Sequence, residues 1–199
     1  MNNNKYNAIP AELKAIKNWV CWKAEPDERS HSGISKKPIN PITGGFAMSN
    51  NPDTWTDFNT AVSVAEKYSG IGFMFGSSDY FGVDLDDMPD ELKDYHSGGT
   101  DNVISEFVNT LQSYTEYSHS GTGIHIICKG QLPKGGRRRK NVEMYDTGRF
   151  FVMTGKYCSE YAEIIDCTES IKSLHEKYIG GGKLPQATTQ NTFNVPTLS

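Results

Sequence analysis

Phe81-Gly82-Val83-Asp84-Leu85-Asp86-Asp87 is the stretch whose reading decides the fold. It follows the apolar run Gly70-Ile71-Gly72-Phe73-Met74-Phe75. The turn formers Gly76-Ser77-Ser78-Asp79 lie between them, so the two segments read as neighbouring strands of a hairpin. Side chains of a strand alternate between faces, which puts Asp84 and Asp86 on one face and Val83 and Leu85 on the other, toward a core. Two carboxylates on one face repel each other unless a cation or a proton lies between them. The pair is therefore a candidate site for Mg²⁺ or Mn²⁺, ions that favour oxygen ligands. The alternative reading of the same residues is a strand end running into the acidic turn Asp86-Asp87-Met88-Pro89.

The chain of 199 residues has room for one sizeable domain or two small ones. Its net charge of −4 excludes a generally basic nucleic-acid coat, so any phosphate binding must come from a local patch. Cys21, Cys128, Cys158 and Cys167 are far apart with no C-x-x-C pair, which argues against a zinc knuckle. Cys21 between two tryptophans and Cys128 in an apolar run read as buried free thiols of a reducing cytoplasm. No signal-peptide pattern and no bilayer-length apolar run occurs, so a cytoplasmic place without a membrane partner is expected.

Outward from the central stretch, the pattern predicts a short helix over 9–16 with Pro10 at its start, then a strand over 19–23. Lys36-Lys37-Pro38-Ile39-Asn40-Pro41 reads as an edge strand because prolines interrupt it. Asp53 or Thr54 is the expected cap of a helix through Phe58, Ala61, Val62 and Ala65. The polar segment 90–100 reads as a loop, 101–111 as a helix, and 114–118 and 124–128 as strands. A loop over 131–140 precedes strands over 141–145 and 149–155, joined by the turn 146–148. Asp166 is expected to cap a last helix over 169–178. Residues 1–178 form the expected catalytic domain. The Gly-rich and Gln/Thr/Asn/Pro-rich segment 179–199 reads as a linker or tail leading to further domains.

Three more stretches bear on the aspartates. In Ser120-Gly121-Thr122-Gly123-Ile124-His125, glycines let the backbone approach a ligand and aim amides at phosphate. His125 is placed to reach the same ligand, or else sits partly buried beside a tight hairpin. Glu143, in its own strand, is either a third metal ligand or a solvent-facing strand residue, and Asp146 is the competing carboxylate. Lys129 to Lys140 carries Lys134, Arg137, Arg138 and Arg139 and no acid. That localised positive patch suits a triphosphate or a template backbone. Lys36 and Lys37 could likewise meet phosphate.

The order D-x-D, S-G-x-G-x-H, then a strand carboxylate resembles the archaeo-eukaryotic primase superfamily. More narrowly, it is similar to the N-terminal primase-polymerase domain of phage and plasmid replication proteins. Further matches are Trp19-Val20-x-Trp22, Lys37-Pro38-Ile39-Asn40-Pro41-x-Thr43-Gly44, Trp55-x-Asp57-Phe58, Tyr68 to Phe73, and Asn141 to Asp146 followed by Gly148-Arg149-Phe150-Phe151. The likeness covers roughly residues 10 to 160. Here the third acid is Glu143 where the family often has Asp, and Gly123 stands where it often has Ser.

The resemblance implies an α/β fold of the α+β type, in which an RRM-like antiparallel-sheet catalytic subdomain packs on an N-terminal α/β subdomain. It implies a nucleotidyltransferase that makes and extends primers on a single-stranded DNA template from nucleoside triphosphates. In it Asp84, Asp86 and Glu143 would hold Mg²⁺ or Mn²⁺ in a two-metal arrangement, and His125 would join them as a catalytic residue. Ser120, Gly121, Thr122, Gly123, His125 and Arg149 would contact the nucleotide. Lys37, Arg137, Arg138, Arg139 and Lys140 would contact DNA. A helicase, as domain or partner, stays open. A catalytically silent DNA-binding or origin-recognition module is the runner-up, and a template-independent transferase the third reading.

Overall fold

The computed structural model describes residues 3–30, 33–76 and 79–180, so the predicted linker over 179–199 lies almost wholly outside the described residues. Two antiparallel sheets and five α-helices make up an α+β fold. The first sheet has the order β2-β1-β3-β9, built from β1 (Trp19–Pro26), β2 (Ile34–Ile39), β3 (Gly70–Phe75) and β9 (Arg149–Met153). The second has the order β5-β6-β4-β8-β7. Its strands are β4 (Tyr80–Leu85), β5 (Thr115–Tyr117), β6 (Ile124–Lys129), β7 (Arg138–Arg139) and β8 (Val142–Tyr145). The helices are α1 (Ala11–Lys14), α2 (Phe58–Val64), α3 (Pro89–His96), α4 (Val103–Leu111) and α5 (Ser170–Tyr178).

β4 organises the molecule. Phe81, Val83 and Leu85 point into a core shared with α3, α4 and α5, where Ile104, Phe107, Leu111, Ile171 and Leu174 are buried. Full burial of each such side chain stabilises the fold by about 1.5–3 kcal/mol. The other face of β4 turns toward the first sheet. A second core there holds Trp19, Phe73, Phe75, Tyr114, Ile127 and Phe151. Gly82 lies on this face, and a Cβ there would stand 2.4 Å from Phe151 Cε2 and 2.5 Å from Phe75 Cζ. The sheets can close only because position 82 has no side chain.

Two expected hairpins are not formed. β3 pairs with β1 and β9, whereas β4 pairs with β6 and β8, so the chain changes sheet between 75 and 80. It changes back between β8 and β9. The reason is burial. All six residues of β3 are buried, and it takes a partner on each edge from its own sheet. Because β9 completes the first sheet, the expected N-terminal subdomain draws its fourth strand from far along the chain.

Three local readings also change. Segment 89–96 is helix α3, with Pro89 in the first turn and Asp90 and Glu91 favouring its N-terminus. Its single buried residue, Leu92, left no apolar stripe to detect. The cap of α2 is Asp57, which accepts from the Thr60 amide at 2.9 Å, while Asn51 caps a preceding turn at Pro52–Thr54. Asp166 accepts from the Thr168 amide in a turn ahead of α5 and does not cap the helix. The prolines do mark an edge, since β2 is outermost in its sheet.

All four cysteines are free and buried. Burial pushes the thiols of Cys21 and Cys158 up to about 12 and raises that of Cys128 as well. Since the thiolate is the nucleophile, iodoacetamide near neutral pH is expected to leave these three unlabelled in the folded chain. Mass spectrometry showing their alkylation without denaturant would contradict this packing. Among the described residues no helix is long and apolar enough to cross a membrane.

Candidate active site

The second sheet carries a row of charged residues in direct register across all five strands. Glu116 of β5 lies opposite His125 of β6, and His125 opposite Asp84 of β4. Asp84 in turn lies opposite Glu143 of β8, and Glu143 opposite Arg138 of β7. Directly paired residues share a face, so the five side chains stand in line on the side that meets the first sheet. At the mouth between the sheets opens a cleft of about 760 Å³, lined by Asp84, His125, Glu143, Arg149, Lys36 and Phe151 among others.

At one end Glu116 is fully buried. Its carboxylate accepts from the Tyr114 hydroxyl at 2.7 Å, the Thr154 amide at 2.8 Å and the Gly155 amide at 2.9 Å. It faces His125 Nδ1 at 3.6 Å. On the other edge of the ring, His125 Nε2 stands 3.7 Å from Asp84 Oδ1. Phe151 covers the ring, with centroids 4.9 Å apart and planes 31° apart. Both imidazole contacts are ion-pair distances longer than a hydrogen bond, and among the described residues His125 Nδ1 and Asp84 Oδ1 have no hydrogen-bond partner.

Burial alone would discharge the imidazole, but Asp84 and Glu116 on either side outweigh it and raise the pKa of His125. Burial also pushes Asp84 up, followed by the Asp86 and Glu143 charges, while His125 and Lys36 pull it down. At the far end Glu143 is held through both oxygens, by Arg138 Nε at 3.0 Å and Arg149 Nη2 at 3.2 Å. Arg149 also lies over the Tyr145 ring, 4.6 Å from its centroid.

The structure thus brings together Asp84, His125, Glu143, Arg149 and Arg138. Asp86 lies at the end of β4 and accepts from the Ser120 hydroxyl at 3.2 Å, which ties the Ser120–Gly123 loop to the acid row. Gly123 makes that approach possible, because a Cβ there would fall 2.1 Å from Leu85 O and 2.8 Å from Asp86 Cα. The loop is not an open amide cradle. The Gly121 amide donates to Ser118 O, and the Thr122 amide to the Ser120 hydroxyl. Ser120 and Gly121 line a separate hollow, not the cleft.

The DNA-contact set divides. Lys37 falls on the opposite face of β2 from Ile34, Lys36 and Pro38, which line the cleft, so Lys36 is the lysine that reaches it. Arg137 is turned inward, donating to Pro133 O at 2.8 Å and pairing with Asp146 at 3.4 Å. Asp146 is thereby engaged away from Asp84. Arg139 and Lys140 stay exposed at the edge of the sheet. Glu116 was missed by sequence reading. Its one available signal was its place two residues after Tyr114, on the same face of a strand.

The donor chemistry of the row suits a hard divalent cation. Carboxylates of adjacent strands face each other, and Asp84 Oδ1 is a buried oxygen without a partner. As the side chains stand, no three acids, imidazoles or thiols among the described residues are gathered closely enough to hold an ion.

Fold and site together define an α+β protein with an acid–imidazole–acid row beside basic groups in a cleft between two sheets. The chain is 33% identical over 184 residues to the DNA primase-polymerase of Nitratiruptor phage NrS-1, an alignment taking in 86% of this chain and 23% of that protein. This homologue is a phage primase-polymerase, in agreement with the resemblance carried by the motifs. The chain spans less than a quarter of its length. No protein-family model matches the chain.

Proposed function

We propose that the chain is a primase-polymerase catalytic unit, which synthesises and extends primers on single-stranded DNA in phage or plasmid replication. The observation that carries this reading is the in-register row His125–Asp84–Glu143 at the mouth of the cleft. The relative's name supports it. Mg²⁺ or Mn²⁺ held by Asp84, Asp86 and Glu143 would neutralise triphosphate charge and lower the pKa of the attacking 3′-hydroxyl.

The chain's own groups do the rest. Lys36 presents an ammonium to the cleft, and Arg149 presents a guanidinium at its rim, where they meet the phosphates. His125, its pKa raised by Asp84 and Glu116 against the effect of burial, offers an N–H to a phosphate oxygen. Phe150 and Phe151 form an apolar wall that limits water. The 3′-oxygen bonds to the α-phosphorus as the bond to pyrophosphate breaks, and the hydroxyl proton is lost. Catalysis here is mainly positioning and charge stabilisation. Arg139 and Lys140, exposed at the sheet edge, would meet the template backbone, and a helicase would supply single strands.

A priming assay on single-stranded DNA tests the reading. Labelled ribo- and deoxynucleotides are supplied separately, with Mg²⁺ or Mn²⁺, with and without template. Template-dependent products are expected. Products that form equally without template would identify a terminal transferase. Salt-sensitive DNA binding with no product under any condition would identify a silent binding module.

A further inference from the structure

Beside the loop 118–123 lies a second hollow, of about 460 Å³, distinct from the cleft. Lys5, Tyr6, Trp22, His119, Ser120 and Lys156 are among its lining residues, and no aspartate or glutamate is. In a chain with 24 acidic and 20 basic residues, an acid-free basic hollow is a marked local excess. Neither Lys5 nor Lys156 forms an ion pair among the described residues, and the Lys5 ammonium rests over the Tyr6 ring, 5.1 Å from its centroid. His119 stands edge-on to Trp22 with centroids 4.7 Å apart. Burial first, then Lys36, Lys5 and Lys156, hold its pKa down, and Lys5 and Lys156 line the hollow with it.

The floor of the hollow supplies an independent sign. The Trp22 indole is 1% exposed, and its Nε1 has no acceptor among the described residues. The other two tryptophans are satisfied: Trp19 donates to Leu13 O at 3.1 Å and Trp55 to Met48 O at 2.8 Å. Buried donors left without a partner are rare enough to need a cause. A Cβ on Gly70 would stand 3.0 Å from Trp22 Nε1 and 3.2 Å from the Tyr6 hydroxyl, so the glycine keeps this spot open. An N–H and an O–H thus border one small space in a hollow lined by Lys5 and Lys156.

We propose that this hollow is a second phosphate site, which takes a nucleotide phosphate with Lys5 and Lys156 as counter-charges and the Trp22 N–H and Tyr6 O–H as donors. The volume lies within the range of small-ligand pockets. The phosphate belongs either to a free nucleotide or to a DNA strand; the chemistry is shared. Ser120 both lines the hollow and donates to Asp86, so an occupant would lie one side chain from the acid row. The site requires no catalysis in the cleft, and it stands or falls separately from the activity proposed above.

Nitrogen-15 NMR on the whole chain, in EDTA and low salt, reads it directly. The three tryptophans give three indole signals. Trp22 is identified by Trp22→Phe, a change that removes no protein hydrogen bond. One titration uses thymidine triphosphate, the other single-stranded oligothymidylate. The Trp22 signal is expected to move downfield and saturate in at least one arm, and that arm names the source. Lys5→Ala/Lys156→Ala is expected to weaken that binding by roughly tenfold or more. Lys93→Ala, a charge removed from the exposed face of α3, leaves it as it was. A stationary Trp22 signal at saturating concentrations of both probes, or unchanged binding by the double-lysine variant, overturns the proposal.

Discussion

Asp84→Asn is expected to lower metal-dependent nucleotide incorporation by at least roughly 10³-fold, the upper range for one electrostatic contact at a reacting centre, without lowering stability at neutral pH. The two halves of that expectation have one source. Asp84 lies in register between His125 and Glu143, and its Oδ1 has no hydrogen-bond partner among the described residues. Burial, then Asp86 and Glu143, raise its pKa above the ordinary carboxylate value of about 4. A carboxyl whose folded pKa lies above its unfolded one binds its proton more tightly when folded. The associated stability is present in acid and is lost as pH rises from the unfolded pKa through the folded one. At neutral pH the charged Asp84 is therefore a net cost, one the neutral amide does not carry.

His125 limits the gain, because Asp84 helps to keep it charged. In the variant the imidazole should lose its proton at lower pH. The melting temperature of Asp84→Asn is expected to equal or exceed that of the parent near neutrality, with the difference closing as the pH falls through the raised folded pKa of Asp84 to the ordinary carboxylate range. Incorporation at the parent's rate would remove Asp84 from the chemistry. A marked fall in melting temperature would show that Asp84 is a structural ion-pair partner.

How far this arrangement was visible in the sequence depends on the range of each interaction. Strand alternation sent Val83 and Leu85 into the core, as found, because that periodicity is a property of the local backbone, whereas Asp86 falls just past the end of β4. Strand pairing is not local. The turn formers after Phe75 suggested a hairpin, yet the chain crosses from one sheet to the other there, and nothing in a turn sequence tells the two apart. The alignment of Asp84 with His125 and Glu143 came within reach only through the family resemblance in motif order. Lys36 and Lys37 were an undivided pair until the pairing of β2 with β1 fixed which one faces the cleft. Helix α3 was lost for want of apolar residues, although Pro89 and the acids after it were the correct start signal.

Glu116 marks the limit most sharply, and it carries the second large effect. Glu116→Gln is expected to destabilise the fold by about 3–5 kcal/mol, the usual range for breaking a buried charged partner. For a chain of this size that is a fall in melting temperature of roughly 10 °C. The isosteric amide cannot be accommodated by turning it over. One carboxylate oxygen accepts from the Thr154 amide and faces His125, and the other accepts from the Tyr114 hydroxyl and the Gly155 amide. Whichever oxygen is replaced by NH₂, a backbone N–H then meets another donor in a site without water access. The backbone donors lie 38 and 39 residues along the chain from Glu116, which is why no local pattern announced them. Tyr114→Phe removes one hydrogen bond to the same carboxylate and should cost only about 1.5–3 kcal/mol. If Glu116 also orients His125, incorporation by Glu116→Gln should fall at temperatures where circular dichroism shows it fully folded, whereas Tyr114→Phe should stay near the parent rate. A urea midpoint for Glu116→Gln close to the parent's would show that the amide is accommodated and that the hydrogen bonds to this carboxylate do not hold the fold together.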